Sequence, residues 1–271
     1  MSDIVLSAGV RSNLLQLQQT SDLITTTQNR LATGKRVNSA LDNPVNFFTA
    51  QSLTARANDL NALLDNMSTA INTIQAANNG LTSITKLIQS AQALAVQAQQ
   101  STDTTVRKGL STQFTALLTQ IDQLAGDAGL NGINLLNGDN LTVKLNETNT
   151  STVTITGVND AANGALAINA AANNWSTVSD IGIASTALST ALATVRSQAQ
   201  ALSSNLQTVQ VRQDFTKAMV NTLNSGADGL TLADSNEEGA NLLALQTRQQ
   251  LSSTALSLAS QADQNVLRLF Q

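Results

Sequence analysis

Residues 10–31 read VRSNLLQLQQTSDLITTTQNRL, and the apolar spacing in this stretch decides the fold. Its apolar row advances in alternating steps of four and three residues, the period of about 3.5 residues that is typical of a coiled-coil seam. We predict a helix over residues 3–33 that packs on another helix, because a lone helix leaves such a stripe in water. The row comprises Val10, Leu14, Leu17, Ser21, Ile24, Gln28 and Leu31.

The last forty residues carry two apolar rows on one predicted helix. The first row comprises Leu251, Ala255, Leu258, Ala262, Asn265 and Leu269. The second row comprises Leu242, Leu245, Leu256, Ala259, Val266 and Phe270. Two rows on one helix need two partners, which favours packing between molecules; the alternative is that the terminal helices form an internal coiled coil only.

Local signals divide the rest of the chain into long helices and one short insertion. The spacing predicts one helix over residues 45–100, a second that follows a polar turn at 101–105 and runs to about 125, and a third over 177–225. Asn43 caps the first of these helices, and Pro44 opens it. Gly34 ends the first helix of the chain, and Ser225–Gly229 breaks the third long one. Remaining expectations are one or two short hairpins from the alternating runs at 141–145 and 153–155, a surface loop over 157–174, Trp175 as a local packing anchor, and a capping box of Ser235 and Glu238.

These elements are symmetric about the insertion. The predicted fold is mostly α: an antiparallel long-helix rod with terminal coiled-coil helices and a small β-hairpin insertion. Aromatic residues make up only 2 % of the chain, so leucine, isoleucine, valine and alanine must do the packing, which suits close helix pairs.

Composition argues against several classes of function. The absence of His and Cys removes imidazole bases, thiolate nucleophiles and the usual zinc sites, so we predict no enzyme, no metal and no cofactor. The 14 basic residues are scattered in a chain of net charge −4, which argues against a nucleic-acid partner. No apolar run reaches the roughly 18–20 residues of a membrane span, and no cleavable signal peptide is visible, so we also expect no membrane partner.

Residues 29–44 read NRLATGKRVNSALDNP, and the C-terminal segments 234–241 and 261–270 read DSNEEGAN and QADQNVLRLF. This combination, with NGINLL at 131–136, resembles bacterial flagellins, and the Asp42-Asn43-Pro44 variant resembles those of alphaproteobacteria, here with a short variable region.

The resemblance implies a structural subunit that polymerises into the extracellular bacterial flagellar filament for swimming motility. It implies a terminal coiled-coil inner domain (1–33 and 235–271), connectors (34–43 and 226–234), a helical rod (44–137 and 176–225) and a short variable insertion (138–175). The implied partners are further copies of the chain, the flagellar cap and hook-junction proteins, an export chaperone and the flagellar type III apparatus. The predicted assembly interface comprises Val10, Leu14, Leu17, Ile24, Leu31, Lys35, Arg36, Asp42, Leu251, Leu256, Leu258, Val266, Leu269 and Phe270.

Three other functions fit the sequence less well. A hook–filament junction protein shares the N-terminal signature, but the VLRLF tail at 266–270 favours the filament subunit. A metalloprotease insert needs a His-Glu-x-x-His helix, which a chain without His cannot form. A membrane-binding translocator needs a long apolar stretch, which we do not find in the sequence.

Overall fold

The computed structural model describes residues 8–269, without the side chains of residue 263 and residues 266–269. Five long helices and a two-stranded antiparallel sheet confirm the predicted mostly α class. The elements are α1 (Ala8–Thr33), α2 (Pro44–Gln100), α3 (Thr104–Asp127), β1 (Leu141–Lys144), β2 (Thr152–Ile155), a 3-10 turn (Ala172–Trp175), α4 (Val178–Thr231) and α5 (Ser235–Leu269). The predicted helical residues 3–7 lie outside the described residues.

The chain divides into two compact units. Unit 1 contains the chain up to Ala55 together with the residues from Thr222 onward, and unit 2 spans Arg56–Asn221. Helices α2 and α4 therefore contribute to both units, whereas α1 and α5 belong to unit 1 and α3 and the hairpin to unit 2.

Within unit 2, α2 and α4 run antiparallel. Gln213 of α4 donates a hydrogen bond to the Ser68 hydroxyl of α2 at 2.8 Å. At the other end, Arg107 of α3 donates to the carbonyls of Ser101, just after α2, and Ser176, just before α4. The apolar faces of α2, α3 and α4 share one core, whose largest fully buried side chains include Met67, Ile74, Ile84, Phe114, Ile121 and Ile181.

Gly80 lies in the middle of α2, where glycine costs about 1 kcal/mol relative to alanine. The structure explains its presence. A Cβ at this position would lie 2.7 Å from Leu136 Cδ1 and 2.9 Å from Ala128 Cβ. The absent side chain lets the segment after α3 approach the long helix.

The predicted hairpin is present, with Leu141 opposite Ile155 and Val143 opposite Val153. The predicted surface loop over 157–174 is wrong in part, because Leu166 and Ile168 are each 1 % exposed and belong to the core of unit 2. Single apolar residues in a segment rich in Ala, Asn and Gly have no periodicity from which burial can be predicted. Trp175 is a packing anchor as predicted, fully buried with its ring centroid 4.9 Å from that of Phe114.

Several helix ends in unit 1 match their sequence signals. Gly34 has φ +66°, the left-handed conformation that ends helices, and follows directly on α1. The Asn43 side chain accepts a hydrogen bond from the Asn46 N–H at 3.0 Å, and Pro44 is the first residue of α2.

Two predicted ends are wrong. Helix α4 continues through Ser225–Gly229 to Thr231, whose carbonyl accepts hydrogen bonds from the backbone N–H groups of Arg36 and Val37. The helix therefore ends where its backbone pairs with residues 36 and 37, which are distant in sequence, and not at the glycines of 225–229. The capping box is also wrong, because Asp234 caps α5: its Oδ1 accepts from the Asn236 N–H at 2.8 Å, and Glu238 pairs elsewhere.

Helix α4 is long and apolar enough, by composition, to meet the criterion for a membrane span, contrary to the expectation from sequence. A helix packed in the core of a protein outside the membrane can meet the same criterion of length and composition. Ile181, Leu188, Val195 and Val209 of α4 lie in the core of unit 2, which accounts for part of the apolar composition.

Candidate assembly surface

Helices α1 and α5 pack on each other in an antiparallel arrangement within unit 1. Arg30, in the last turn of α1, donates to Glu238 Oε1, in the first turn of α5, at 3.0 Å. The Glu238 side chain is only 9 % exposed, and the Arg30 side chain is 35 % exposed. A buried carboxylate needs such a charge-assisted partner, so this pair sets the register at one end of the helix pair.

The face of α1 toward α5 mixes apolar and polar residues. Val10, Leu17 and Ile24 of the predicted row lie on this face, but Leu14 lies beside it. Thr20 and Thr27 are buried there instead, at 2 % and 6 % exposure. The Thr20 hydroxyl donates to the Gln16 carbonyl at 2.8 Å, so its hydrogen bond is satisfied within the helix and the side chain can be buried.

The second row of α5 forms the matching face. Its leucines and alanine are half-buried, and they alternate with polar residues at steps of four and three. The residues on this face are Glu238, Leu242, Leu245, Gln249, Ser252, Leu256 and Ala259. The side chains of Val266 and Leu269, and all of Phe270, lie outside the described residues.

The first row of α5 points away from α1. At about 100° per residue, Leu251 and Leu258 lie roughly 130–150° around the helix from the centre of the α1-facing row in one direction, and Leu243 lies about 150° from it in the other. Their exposures are 68 %, 62 % and 67 %. We call these three residues the outward row.

Helix α1 is also apolar beyond its face toward α5. Leu14 and Leu23 lie on opposite flanks of that face and are 41 % and 50 % exposed, and Leu15, about 170° away from its centre, is 57 % exposed. Leu31, at the end of the helix, is 37 % exposed.

Sequence reasoning missed Leu15, Leu23 and Leu243. A signal for two of them was present in the doublets Leu14-Leu15 and Leu242-Leu243. Neighbouring helical residues point about 100° apart, so two adjacent leucines cannot both face one partner. The ion pair between Arg30 and Glu238 had no local signal, since 208 residues separate the two positions.

The connector residues have defined roles within the chain. Lys35 and Arg36 have exposed side chains, and their backbones pair with residues 231–232. The Asp42 carboxylate accepts hydrogen bonds from the backbone N–H groups of Ser39 and Asn38, which lower its pKa. The structure thus assigns Asp42 to a local turn; an interface role for Lys35, Arg36 and Asp42 stays a prediction.

A further apolar patch of unit 1 surrounds the start of α2. Leu41, Val45 and Phe48 are 96 %, 72 % and 59 % exposed. We call these residues the connector patch. Val45 and Phe48 are three residues apart on α2 and are therefore neighbours on its surface, and Leu41 lies in the turn just before the helix. Exposed apolar residues that cluster typically mark interaction sites.

Comparison with known proteins identifies the family. The profile of the bacterial flagellin N-terminal helical region matches residues 8–141. Over its full length the chain is 31 % identical to flagellin FljK of Caulobacter vibrioides and covers 99 % of that protein. The chain belongs to the bacterial flagellin family.

This flagellin also resembles further members of the family. It is 26 % identical to a flagellin of Brucella melitensis, with all of both chains covered. The crystal structure of Bacillus cereus flagellin aligns with 56 % of this chain and 88 % of its own, at a TM-score of 0.49 and 20 % identity. Flagellins are structural proteins, and no cluster of three metal-ligating residues occurs within the described part of this one.

Proposed function

We propose that the chain is a structural subunit that polymerises into the extracellular flagellar filament. The observation that carries the proposal is the outward row of α5, opposite the face that packs on α1. An apolar row that remains exposed after its own chain has folded needs a neighbouring molecule.

The energetics require several such surfaces. Full burial of a leucine contributes about 1.5–3 kcal/mol, so three leucines that are about two-thirds exposed contribute several kcal/mol. Association costs about 4–15 kcal/mol in lost translational and rotational freedom and side-chain ordering. The outward row, the exposed leucines of α1 and the connector patch together can offset this cost if each subunit contacts several neighbours. Head-to-tail contacts that do not close produce a helical filament.

The finer assignments follow from family membership. We propose that residues 1–33 and 235–271 form an inner domain, that 44–137 and 176–225 form a rod, and that 138–175 are a short variable insertion. The cap, the hook-junction proteins, an export chaperone and the flagellar type III apparatus are the proposed partners. A hook–filament junction role remains the second candidate, and no feature of the described residues favours it.

Polymerisation of the purified protein tests the proposal. We expect long filaments in electron micrographs after salt-induced assembly, and their recovery in the pellet on sedimentation. Failure of the protein to form long filaments alone would favour the junction role, since junction proteins should not form long filaments by themselves.

Variants of α5 test which face assembles. Leu251→Asp should abolish sedimentable polymer while the helix content of the monomer stays unchanged, because the new charge lies on the outward row. Gln246→Asp adds the same charge at an exposed polar position and should still polymerise. Leu256→Asp should instead reduce the helix content of the monomer, because Leu256 faces α1. Normal filaments from Leu251→Asp would contradict the assignment of the outward row.

A further inference from the structure

Asp160 is an acidic residue buried within unit 2. It follows β2 and is 1 % exposed, and its backbone N–H donates to the Leu136 carbonyl at 2.8 Å. Neither oxygen of its carboxylate has a hydrogen-bond donor among the described residues. Buried acidic groups without partners are rare, because an ionised carboxylate is costly to remove from water.

A cavity of about 60 Å³ adjoins this carboxylate. Gln198 of α4 lines the same cavity, and its Oε1 is also buried without a donor. The residues that line this space thus include three buried side-chain oxygens without a hydrogen bond, and none of these residues is cationic. The remaining lining residues are Leu135, Leu136, Thr156, Val158, Ala201, Leu202 and Asn205.

We propose that Asp160 is a proton-operated latch that docks segment 156–168 against α4. The protonated carboxyl group donates its O–H to Gln198 Oε1, which satisfies an acceptor on each side of the contact. Loss of the proton leaves a buried negative charge that no cationic side chain of the cavity lining compensates, and this loosens the docked segment. The inference concerns unit 2 alone and does not rest on polymerisation.

The surroundings of Asp160 favour a proton over a metal ion as the missing partner. No other residue that lines the cavity is titratable. On the flanking segments, the carboxylates of Asp122 and Asp139 are each occupied by a backbone N–H, of Ala162 and Asn134 respectively. Calcium sites in proteins take six to eight oxygen ligands, usually with several carboxylates, which one carboxylate in this space does not supply.

The titration of Asp160 supports the latch. Burial raises the pKa of Asp160 to about 6, and the Gln198 side chain opposes this only partly. Because this pKa lies above its ordinary value of 3.8, the docked state holds a proton that the open state releases. Docking is therefore strongest below pH 3.8, weakens as the pH rises toward 6, and is constant above that.

Backbone hydrogen bonds of the segment report its docking. The Ala162 N–H donates to Asp122 Oδ1 at 2.7 Å, the Ala165 N–H to the Asn159 carbonyl at 2.8 Å, and the Ile168 N–H to the Ala162 carbonyl at 2.6 Å. Opening of the segment exposes these amides to exchange with solvent.

Hydrogen exchange of the full-length protein at pH 5 and pH 8 tests the latch. After correction for intrinsic rates, we expect the protection of these amides in the wild type to fall roughly tenfold from pH 5 to pH 8. Asp160→Asn should remove this dependence and be more protected than the wild type at pH 8. Asp127→Asn, at an exposed position of α3, should behave like the wild type.

A second measurement needs no variant. The carboxyl carbon of Asp160, followed by NMR, should titrate with a midpoint near 6, and addition of sodium or calcium chloride should leave that midpoint unchanged. A midpoint near 3.8, a flat exchange profile in the wild type, or a midpoint lowered by either cation would overturn the proposal.

Discussion

At the scale of single residues, the environment of Glu238 shows how tertiary contacts override a local motif. Its spacing from Ser235 is that of a capping box, in which the glutamate would turn back to the start of its own helix. Asp234 caps the helix instead, and Glu238 is buried against Arg30. A glutamate that is buried beside a guanidinium gains a stronger hydrogen bond than one to a backbone N–H at the surface.

We expect Arg30→Ala to destabilise the α1–α5 pair by about 1–3 kcal/mol, because it leaves the buried Glu238 carboxylate without its charged partner. The loss should be visible as faster amide exchange in α1 and α5. Arg11→Ala, at an exposed position of α1, is the matched control and should have little effect. Equal exchange in both variants would show that the ion pair does not support the helix pair.

At the scale of elements, Gly80 and Gly109 occupy the interiors of two helices for different reasons. A Cβ at Gly80 would collide with Ala128 and Leu136, whereas a Cβ at Gly109 of α3 would meet no atom within 4 Å. The same substitution should therefore have opposite effects at the two sites.

Gly109→Ala should raise the free energy of unfolding by up to about 1 kcal/mol, the difference in helix propensity. Gly80→Ala gains the same propensity, but it forces the packed side chains apart, and overpacking costs about 1–3 kcal/mol. We expect a lower midpoint of thermal unfolding for Gly80→Ala and a higher one for Gly109→Ala. A higher midpoint for both would mean that the segment after α3 shifts without cost.

At the scale of the whole molecule, burial differs between the terminal helices and α3. Val10, Thr20 and Thr27 are buried in α1, and Glu238 is the one buried residue among the described side chains of α5, whereas seven residues are buried in α3, which is about as long as α1. Since helices in proteins depend mainly on tertiary packing, α1 and α5 are the weaker elements of the monomer.

Hydrogen exchange before and after assembly should therefore show a selective change. We expect amides of α1 and α5 to be only weakly protected in the monomer and strongly protected in the filament, while amides of α3 are strongly protected in both. Circular dichroism should show a parallel gain of helix. Strong protection of α1 and α5 in the monomer would contradict the inference that these helices are only marginally stable before assembly.

The sequence alone determined the helical class, the hairpin, the end of α1 at Gly34 and the start of α2 at Asn43-Pro44. These features depend on periodicity and on backbone preferences within a few residues, which are properties of the local chain. The two rows of α5 could likewise be predicted from the sequence, because a row is defined by spacing alone.

Only the tertiary structure decided which row faces α1, where α4 ends and why Gly80 is a glycine. It also buried Asp160, Leu166 and Ile168 in a segment that looked like a surface loop, and it paired Arg30 with Glu238. Each of these outcomes depends on a contact between residues far apart in the chain. Such contacts are set by which surfaces meet when the helices pack, and no local pattern encodes that choice.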